Sequence, residues 1–517
     1  MLLVIIAGIL IYILYVHFAN YYKHWESKGV TYIKPIPLVG NLGPNLLRRK
    51  SFAELTLEWY VGFYQFNSPT LLIKDPELIK KLTVKEFDTF HDRRSFAPEE
   101  TNPLWAKNLS AMTGDKWQDM RSTLSPSFTS NKMKIMFELM KESATQFSNY
   151  YLQKRGIVVV EMKDAFTRFA SDVIGTTAFG VTCNSLENKQ NEFYRMGKEI
   201  TNFSGLRALK FLLYTVSPTL MKVLNIQIFS KAASNFFQKL VKETLKTREE
   251  KRIVRPDMIH LLMEAKKGRL HYEESSGTCD SGFAVVQESN LGKIKQKQKP
   301  IITDEDITAQ ALIFFLAGFD TVSTIMGLTS YELAINQEVQ RKLRIEIDLV
   351  LENCQGQLTY EALTGMKYLD MVVSETLRKW PATPVLDRIS VKSYTIKPEL
   401  SDEKPVVLEK GSNIWITVYG LHHDPKYYPN PEKFDPERFN DENKHNIRSF
   451  TYLPFGAGPR NCIGSRFALL EVKLIITEII SKFEIIPIQK TQIPLQLDKT
   501  SFTPLAKNGI WLGLKPR

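Results

Sequence analysis

The sequence contains few cysteines and no paired cysteine motif. Only four cysteines occur in 517 residues, at the widely spaced positions Cys183, Cys279, Cys354 and Cys462. This number is too small for a disulfide framework in a chain of this size, so we expect a reducing compartment. The absence of any C-x-x-C pair removes the spacing that is typical of structural zinc sites and iron–sulfur clusters.

Acidic residues are outnumbered by basic ones. The chain has 68 Lys and Arg against 56 Asp and Glu, a net charge of +12. Such an excess favours anionic lipid headgroups, nucleic acid or acidic protein partners, although a solvated basic surface is an equal alternative. The content of 43% hydrophobic and 24% charged residues is that of a globular protein with a large core.

Charge is nearly absent from residues 1–19, where His17 is the one side chain that titrates near neutral pH. A run of this length and apolarity is about sufficient to cross a bilayer. A cleaved signal peptide is the alternative, but no basic segment precedes the run and no small-residue cleavage site clearly follows it. We therefore predict an uncleaved anchor over 1–19. Because several Lys and Arg follow it, the body should face the cytosol.

The rest of the chain shows no internal repeat. Proline and glycine crowd residues 35–44, which excludes a helix there and predicts a stiff hinge over 20–44. Residues 45–517 form one mainly helical body. Within it, 266–300 is rich in Gly, Ser, Lys, Gln and Glu, and is predicted to be a flexible surface insertion. The apolar stretch 203–229 is too interrupted to span a membrane, and either core packing or an interfacial element explains it.

The strongest local signal is a Gly- and Pro-rich loop at 454–464, Pro-Phe-Gly-Ala-Gly-Pro-Arg-Asn-Cys-Ile-Gly. It delivers Cys462 to the start of a helix, in which Leu469, Val472 and Ile476 share one face. Unsatisfied N–H groups and the positive dipole end at a helix N-terminus favour thiolate over thiol. A lone cysteine is more often a small buried hydrophobe, and only the surrounding pattern favours a ligand.

Two further segments carry charge in predicted helices. Glu375 and Arg378 share a face near the end of a helix that Pro381 stops, where an ordinary surface ion pair is the alternative. Thr303 and Asp306 make a capping box for a long apolar helix. That helix contains Asp320, and a carboxylate in apolar surroundings is costly unless it has partners or a function.

These motifs together resemble those of the cytochrome P-450 superfamily. Phe455, Gly458, Arg460, Cys462 and Gly464 match its haem-binding signature F-x-x-G-x-R-x-C-x-G without a substitution. The other matching motifs, in the family's order, are W-x-x-x-R at Trp117 and Arg121, A-G-x-D-T at Ala317, Gly318, Asp320 and Thr321, E-x-x-R at Glu375 and Arg378, and the downstream Arg438. The flanking sequence resembles insect microsomal members of the drug- and toxin-metabolising clan.

The resemblance implies a mainly α fold with a smaller β region, preceded here by the N-terminal transmembrane helix, and haem b as cofactor. It makes Cys462 the thiolate ligand of the haem iron, which favours O–O cleavage. Phe455 is then expected beside the sulfur. Ala317 and Gly318 mark a local widening of the helix over the haem, and Asp320 and Thr321 a proton relay. The other residues to which the resemblance assigns roles are the propionate-binding Arg460, Trp117, Arg121 and Arg388, and the structural network Glu375, Arg378 and Arg438.

The activity implied is insertion of one oxygen atom from O₂ into lipophilic small molecules. The implied partners are an NADPH-dependent flavoprotein reductase, cytochrome b5 and membrane lipid at the endoplasmic reticulum, with no nucleic acid. Reductase-facing lysines are expected among Lys116, Lys132 and Lys134, although solvated positions are the alternative. Guesses for the pocket lining, each with core packing as the alternative, are Phe96, Leu104, Trp105, Leu109, Phe314, Phe315, Val385 and Leu386.

Three other functions are weighed against this one. A peroxide isomerase that needs neither O₂ nor reductase is disfavoured by the intact Asp320 and Thr321 pair. A mitochondrial, ferredoxin-fed enzyme is disfavoured because the N-terminus is apolar and not an Arg-rich presequence. A haem carrier or sensor without turnover remains open, and NADPH consumption with reductase would separate it from an enzyme.

Overall fold

A computed structural model describes residues 22–37, 39–58, 61–95, 97–202, 210–211, 213–215, 217–255, 257–268, 282–285, 301–398 and 404–517. The predicted anchor at 1–19, Phe96 and most of 266–300 lie outside these residues.

Helices dominate the described residues, as predicted. The longer α-helices are Gly114–Leu124, Ser130–Leu152, Met162–Ile174, Glu192–Thr201, Lys231–Lys251, Met258–Lys266, Asp304–Ala317, Ser323–Ile335, Gln337–Asn353, Lys367–Lys379 and Ser465–Lys482. The shorter ones are His24–Ser27, Gly43–Leu46, Phe52–Glu58, Pro76–Lys80, Pro103–Ala106, Pro218–Val223, Tyr360–Gly365 and Val418–His422. Turns of 3₁₀ type lie at Ser125–Phe128, Pro436–Phe439 and Lys444–Asn446, and wider π-helical turns at Lys81–Lys85, Gly175–Phe179 and Gly318–Val322.

The smaller β region consists, within the described residues, of three sheets. One has the strand order Val61–Gln65, Ser68–Ile73, Asn413–Thr417, Val385–Ile389, with only the central pair parallel. The second has the antiparallel order Val158–Glu161, Trp511–Pro516, Phe483–Pro487, and the third pairs Tyr394–Ile396 with Val406–Leu408. The first sheet packs against its own apolar clusters beside the main helical core.

A central helix, Asp304–Ile335, runs through the main core. The Thr303 hydroxyl accepts a hydrogen bond from the Asp306 N–H at 3.2 Å, and the Asp306 carboxylate accepts one from the Thr303 N–H at 2.9 Å. This confirms the predicted capping box, which satisfies two N–H groups that a helix start leaves unpaired. By length and composition alone the helix passes for a membrane span, but 61% of its apolar window is buried, as in the core helix of a globular protein.

The described part of the predicted hinge packs against the first sheet. Trp25 is buried, and its indole N–H donates to the carbonyl of Phe63 at 3.1 Å. The prediction that Pro and Gly exclude a helix over 35–44 is wrong at the end of that range, because the short helix Gly43–Leu46 begins there with Pro44 in its first turn. Proline is tolerated there, since the N–H it lacks has no partner inside the helix. The boundaries of anchor, hinge and body stay predictions.

Two other segments do not match the predictions of a purely surface or a purely core location. Residues 282–285, within the predicted flexible insertion, pack on the body, and Ala284 is 3% exposed. In the stretch 203–229, Tyr214 and Met221 are buried, whereas Val223 and Leu224 are exposed. Parts of this stretch therefore belong to the core, and other parts present apolar side chains to the surroundings.

Candidate active site

The loop at 454–464, called here the cysteine loop, folds back on itself before the helix Ser465–Lys482 begins. The Cys462 N–H donates to the carbonyl of Phe455 at 2.8 Å, which closes the loop. Gly458 has a φ of +67°, and a Cβ there would lie 2.0 Å from the carbonyl oxygen of Thr83. Only glycine accepts both this backbone conformation and this close approach.

The loop presents Cys462 to an internal cavity. Protein surrounds the Cys462 thiol, and the side chain is exposed only toward this internal cavity. Burial raises the pKa of the Cys462 thiol, while the N–H of Gly464 and the positive charges of Arg121 and Arg93 oppose the rise in pKa. The helix-terminal N–H group invoked from the sequence is therefore present, but it does not by itself outweigh the cost of burying a thiolate.

The cavity lies between the cysteine loop and the central helix. It encloses, with its mouth, about 1800 Å³ of space free of protein atoms. Ala317, Gly318 and Thr321 line it opposite Cys462, where the central helix widens into the π-helical turn Gly318–Val322. The Thr321 hydroxyl donates to the carbonyl of Ala317 at 2.5 Å. The expected local widening is therefore present at the expected residues.

Basic side chains converge on one side of the cavity. Arg460 stacks on the ring of Trp117 at 4.0 Å and donates to the carbonyls of His91 at 2.7 Å and Met112 at 2.6 Å. Arg121 donates to the backbone and side chain of Asn461 at 3.0 and 2.7 Å. The structure thus brings together the residues that the sequence grouped around the propionates.

These guanidinium groups are not fully compensated. The Nε atoms of Arg121 and Arg388 are buried and make no hydrogen bond. Burial, together with the charge of Arg93, lowers the pKa of Arg388 to about 9 and that of Arg460 to about 8. Asp92 lies 3.6 Å from Arg460 as one acidic neighbour. Because guanidinium groups stay charged in proteins, this buried group of arginines is suited to bind further anions.

Arg93 belongs to the same group, and sequence reasoning did not select it. Its Nε is also buried without a hydrogen bond, and its Nη2 donates to the Arg460 carbonyl at 3.3 Å. Arg93 lies in a loop with no helical or strand periodicity, so no pattern in the sequence distinguished it from Arg94 beside it. Arg93 and Arg121 line the cavity and each has an orphaned Nε, whereas Arg388 is not among the lining residues. The carboxylate groups of the haem propionates fit such donors.

Asp320 does not share the cavity wall with Thr321. Its carboxylate binds Nζ of Lys163 at 2.8 Å, and the same ammonium donates to the Asp320 carbonyl at 2.9 Å and to Ser323. Burial lowers the pKa of Lys163, and the nearby Asp320 partly offsets this. The predicted proton relay through Asp320 and Thr321 therefore involves a third residue, Lys163, which the sequence did not indicate.

Glu375 and Arg378 form a buried ion pair, and both side chains are 0% exposed. Arg378 binds both carboxylate oxygens, at 2.7 and 2.9 Å, and reaches the carbonyls of His422 and Pro431. Arg438 approaches Glu375 through Nε at 3.5 Å, while its Nη2 binds carbonyls. The network therefore consists of one bidentate fork, from Arg378, and one looser contact, from Arg438.

The guessed pocket lining is right only in part. Leu109, Phe314, Val385 and Leu386 line the cavity. Phe315 instead packs in an aromatic cluster of the main core with Phe179, Phe193, Phe237 and Phe319. Leu104 and Trp105 do not line it. In a helix without a polar face, periodicity does not tell which side faces a cavity.

Comparisons with known proteins agree with this geometry. Residues 33–512 match the family model for cytochrome P450. The chain is similar to cytochrome P450 9e2 of Blattella germanica, with 47% identity covering 95% of this chain and 94% of that protein. It is also similar to probable cytochrome P450 9f2 of Drosophila melanogaster, at 40% identity over 95% of both chains, and to cytochrome P450 6k1 of Blattella germanica, at 38% identity over 98% and 95%. The chain belongs to the cytochrome P450 family, whose cofactor is haem bound through a cysteine thiolate.

Proposed function

We propose that this chain is a membrane-bound monooxygenase that inserts one oxygen atom from O₂ into lipophilic small molecules, with electrons from NADPH through a flavoprotein reductase. One observation carries the proposal. Cys462 faces the widened turn of the central helix across a cavity whose rim holds orphaned guanidinium groups. This arrangement brings a cysteine sulfur, a threonine hydroxyl and guanidinium groups to one cavity.

Several side chains of this protein would hold the haem, each at a different part of it. Cys462 would supply the thiolate ligand, Phe455 would pack beside the sulfur, and the glycines of the cysteine loop would allow the backbone to pass closely. Trp117 orients Arg460, and the guanidinium groups of Arg93, Arg121, Arg388 and Arg460 would hold the propionates. Bound in this way, haem supplies the activation of O₂ that no side chain provides.

Two residues of the central helix, Asp320 and Thr321, would deliver protons to the cavity. The Asp320 carboxylate is partly exposed and paired with Lys163, so solvent reaches it on the side of the helix away from the cavity. Thr321 lines the cavity on the inner side. Asp320 lies on the Lys163 side and Thr321 lies in the cavity wall. A protonated Asp320 carboxyl would donate its proton to the Thr321 hydroxyl, which would give up its bond to Ala317 and release its own proton to an acceptor in the cavity.

Lipophilic substrates are favoured by the lining of the cavity on the side of the central helix. Leu109, Phe128, Ile313, Phe314 and Val385 line this region. An apolar wall with few polar groups binds substrates chiefly by removing their surface from water, at roughly 25 cal/mol per Å². Hydroxyl-rich or charged compounds would lose hydration there without gaining partners.

Membrane attachment is proposed through the anchor at 1–19 and through exposed apolar residues on the body. Ile36 and Leu47 are exposed near the N-terminus, as are Val223 and Leu224 on the other segment. Arg94 links the two regions, since its guanidinium binds Gln65 in the first sheet and the carbonyl of Thr215. Such exposed apolar side chains are suited to a lipid interface, which we propose is that of the endoplasmic reticulum.

The reductase and cytochrome b5 are proposed to dock on basic surface outside the cysteine loop. Lys116 is 81% exposed and has only a distant contact at 4.0 Å to Glu99. Lys134 already pairs with Glu361 at 2.5 Å, which leaves less of its charge available for an acidic partner. Lys116 is therefore the better candidate of the two.

The experiment that tests the function combines the holoprotein with NADPH, a microsomal flavoprotein reductase and a panel of lipophilic compounds. The proposal predicts substrate-dependent NADPH consumption and oxygenated product in matching amounts. A carrier or sensor would bind the compounds without catalytic NADPH consumption. An isomerase would convert lipid hydroperoxides without reductase, and either result would contradict the monooxygenase.

A further inference from the structure

Residues 282–285, here called the docked tetrapeptide, occupy a defined site on the body. The N–H of Phe283 donates to Oδ2 of Asp370 at 2.9 Å, and the Phe283 ring packs edge-on against Phe439 at 5.2 Å. Ala284 is 3% exposed and belongs to the main core. A segment held only by its ends would show neither the hydrogen bond nor this burial.

The fit depends on the residue at position 282. Gly282 has a φ of +119°, and a Cβ there would lie 1.9 Å from Oδ1 of Asp370. Asp370 has little freedom to retreat, because Oδ1 is paired with the buried Lys473 at 2.8 Å. Both the backbone conformation and the space therefore require glycine. The site is specific for this sequence and is not a general apolar contact.

The docked tetrapeptide touches the residues that hold the entrance of the cysteine loop. The Phe283 ring lies 5.5 Å from the ring of Tyr452, and Phe439 lies 5.1 Å from the same ring. The Tyr452 hydroxyl donates to the carbonyl of Ser374 at 2.9 Å, beside the Glu375 ion pair. Tyr452 is therefore held between the tetrapeptide and the helix that carries Glu375.

Tyr452 in turn joins the loop through His422. The two rings stack at 5.4 Å, and Nε2 of His422 accepts a hydrogen bond from the N–H of Leu453 at 2.9 Å. Leu453 is the residue immediately before the cysteine loop. A continuous series of packed and hydrogen-bonded groups thus runs from Phe283 to the chain that leads to Cys462.

We propose that Phe283 is a positioning residue for the thiolate ligand, acting through Tyr452 and His422 on the first residues of the cysteine loop. The inference rests on the proposed haem-thiolate site. Without the Phe283 ring, Tyr452 loses one of its three aromatic neighbours, Phe283, Phe439 and His422, and the loop entrance gains freedom. Cys462 would then be held less firmly in the position from which it binds the haem, although the fold as a whole keeps its core.

The test compares full-length holoproteins that carry Phe283→Ala or Gly282→Ala with wild type. Phe502→Ala is the control, since Phe502 is 56% exposed and packs on Phe52, away from the cysteine loop. In low urea, the red-shifted Soret band of the reduced carbon monoxide complex is followed as it converts to the unshifted band. Global unfolding is measured on the same samples by far-ultraviolet circular dichroism.

We expect both tetrapeptide variants to lose the red-shifted band about tenfold faster than wild type, the factor that corresponds to loss of one or two aromatic contacts. Their global unfolding midpoints and the control should stay at the wild-type values. Hydrogen exchange at residues 453–462 should rise in the same variants. Loss of the band only in step with global unfolding, or at the wild-type rate, overturns the inference. A wild type without any red-shifted band contradicts the haem-thiolate site itself.

Discussion

The ammonium of Lys163 binds both the carboxylate and the carbonyl oxygen of Asp320, at 2.8 and 2.9 Å. Asp320 is therefore held on the side of the central helix that faces away from the cavity, while the next residue, Thr321, lines the cavity. This division makes Asp320 separable from the binding of haem and substrate.

We expect Asp320→Asn to lower reductase-driven product formation by about 10²-fold, the usual effect of removing a proton-transfer group. Haem content and substrate-induced spectral shifts should not change. Asp164→Asn is the matched control, because Asp164 pairs with Arg168 on the Lys163 helix. The rate of product formation and the amount of product per NADPH consumed measure the effect. An Asp320→Asn enzyme that matches wild type in both quantities would refute the relay.

Glu375→Gln removes the charge from the fully buried partner of Arg378. Breaking a buried pair leaves an uncompensated charge, so we expect a loss of about 3–5 kcal/mol in the free energy of unfolding. Glu437→Gln is the control, because Glu437 forms an exposed pair with Lys342 at 3.2 Å and should cost less than about 1 kcal/mol. Urea unfolding of both holoproteins gives the comparison, and equal losses would contradict a structural role for Glu375.

Arg388→Met tests whether the buried guanidinium groups bind an anionic ligand. The side chain is buried with an unpartnered Nε, so the apoprotein should be no less stable without this charge. Haem affinity should fall at least about tenfold, because a desolvated charge-assisted bond is lost. Haem transfer to apomyoglobin and urea unfolding of the apoprotein measure the two effects. Unchanged haem transfer would exclude Arg388 from the propionate site.

His423 gives a pH dependence of stability. Burial lowers the pKa of His423 from 6.5 to about 3, and its ring stacks on Tyr419 at 4.0 Å. Below pH 6.5 the His423 imidazole therefore binds a proton in the unfolded chain but not in the folded protein. The free energy of unfolding falls as the pH falls through this range. His423→Phe should remove about 2 kcal/mol of the stability lost between roughly pH 7.5 and pH 5. Unfolding at both pH values checks this, and an unchanged difference would show that His423 is charged in the fold.

Much of the site was predictable because it is local in sequence. The cysteine loop, the Glu375 and Arg378 pair and the capping box at Thr303 each depend on residues within a few positions of one another. Fixed helix and turn geometry brings such residues together without knowledge of the rest of the chain.

What the sequence did not predict depends on distant segments. Lys163 meets Asp320 across 157 positions, and Arg93 meets Arg460 across 367. The docked tetrapeptide has a composition typical of loops, and only the pocket formed by Asp370, Phe439 and Tyr452 makes it a specific element. Tertiary packing decides these features, and no local pattern encodes them.

The most direct test of the central claim is the carbon monoxide difference spectrum of the dithionite-reduced protein, with Cys462→Ser measured beside it. The account predicts a strongly red-shifted Soret band in wild type that is absent from the variant. A well-folded, haem-loaded wild type without this band, or a variant that retains it, would contradict Cys462 as the thiolate ligand.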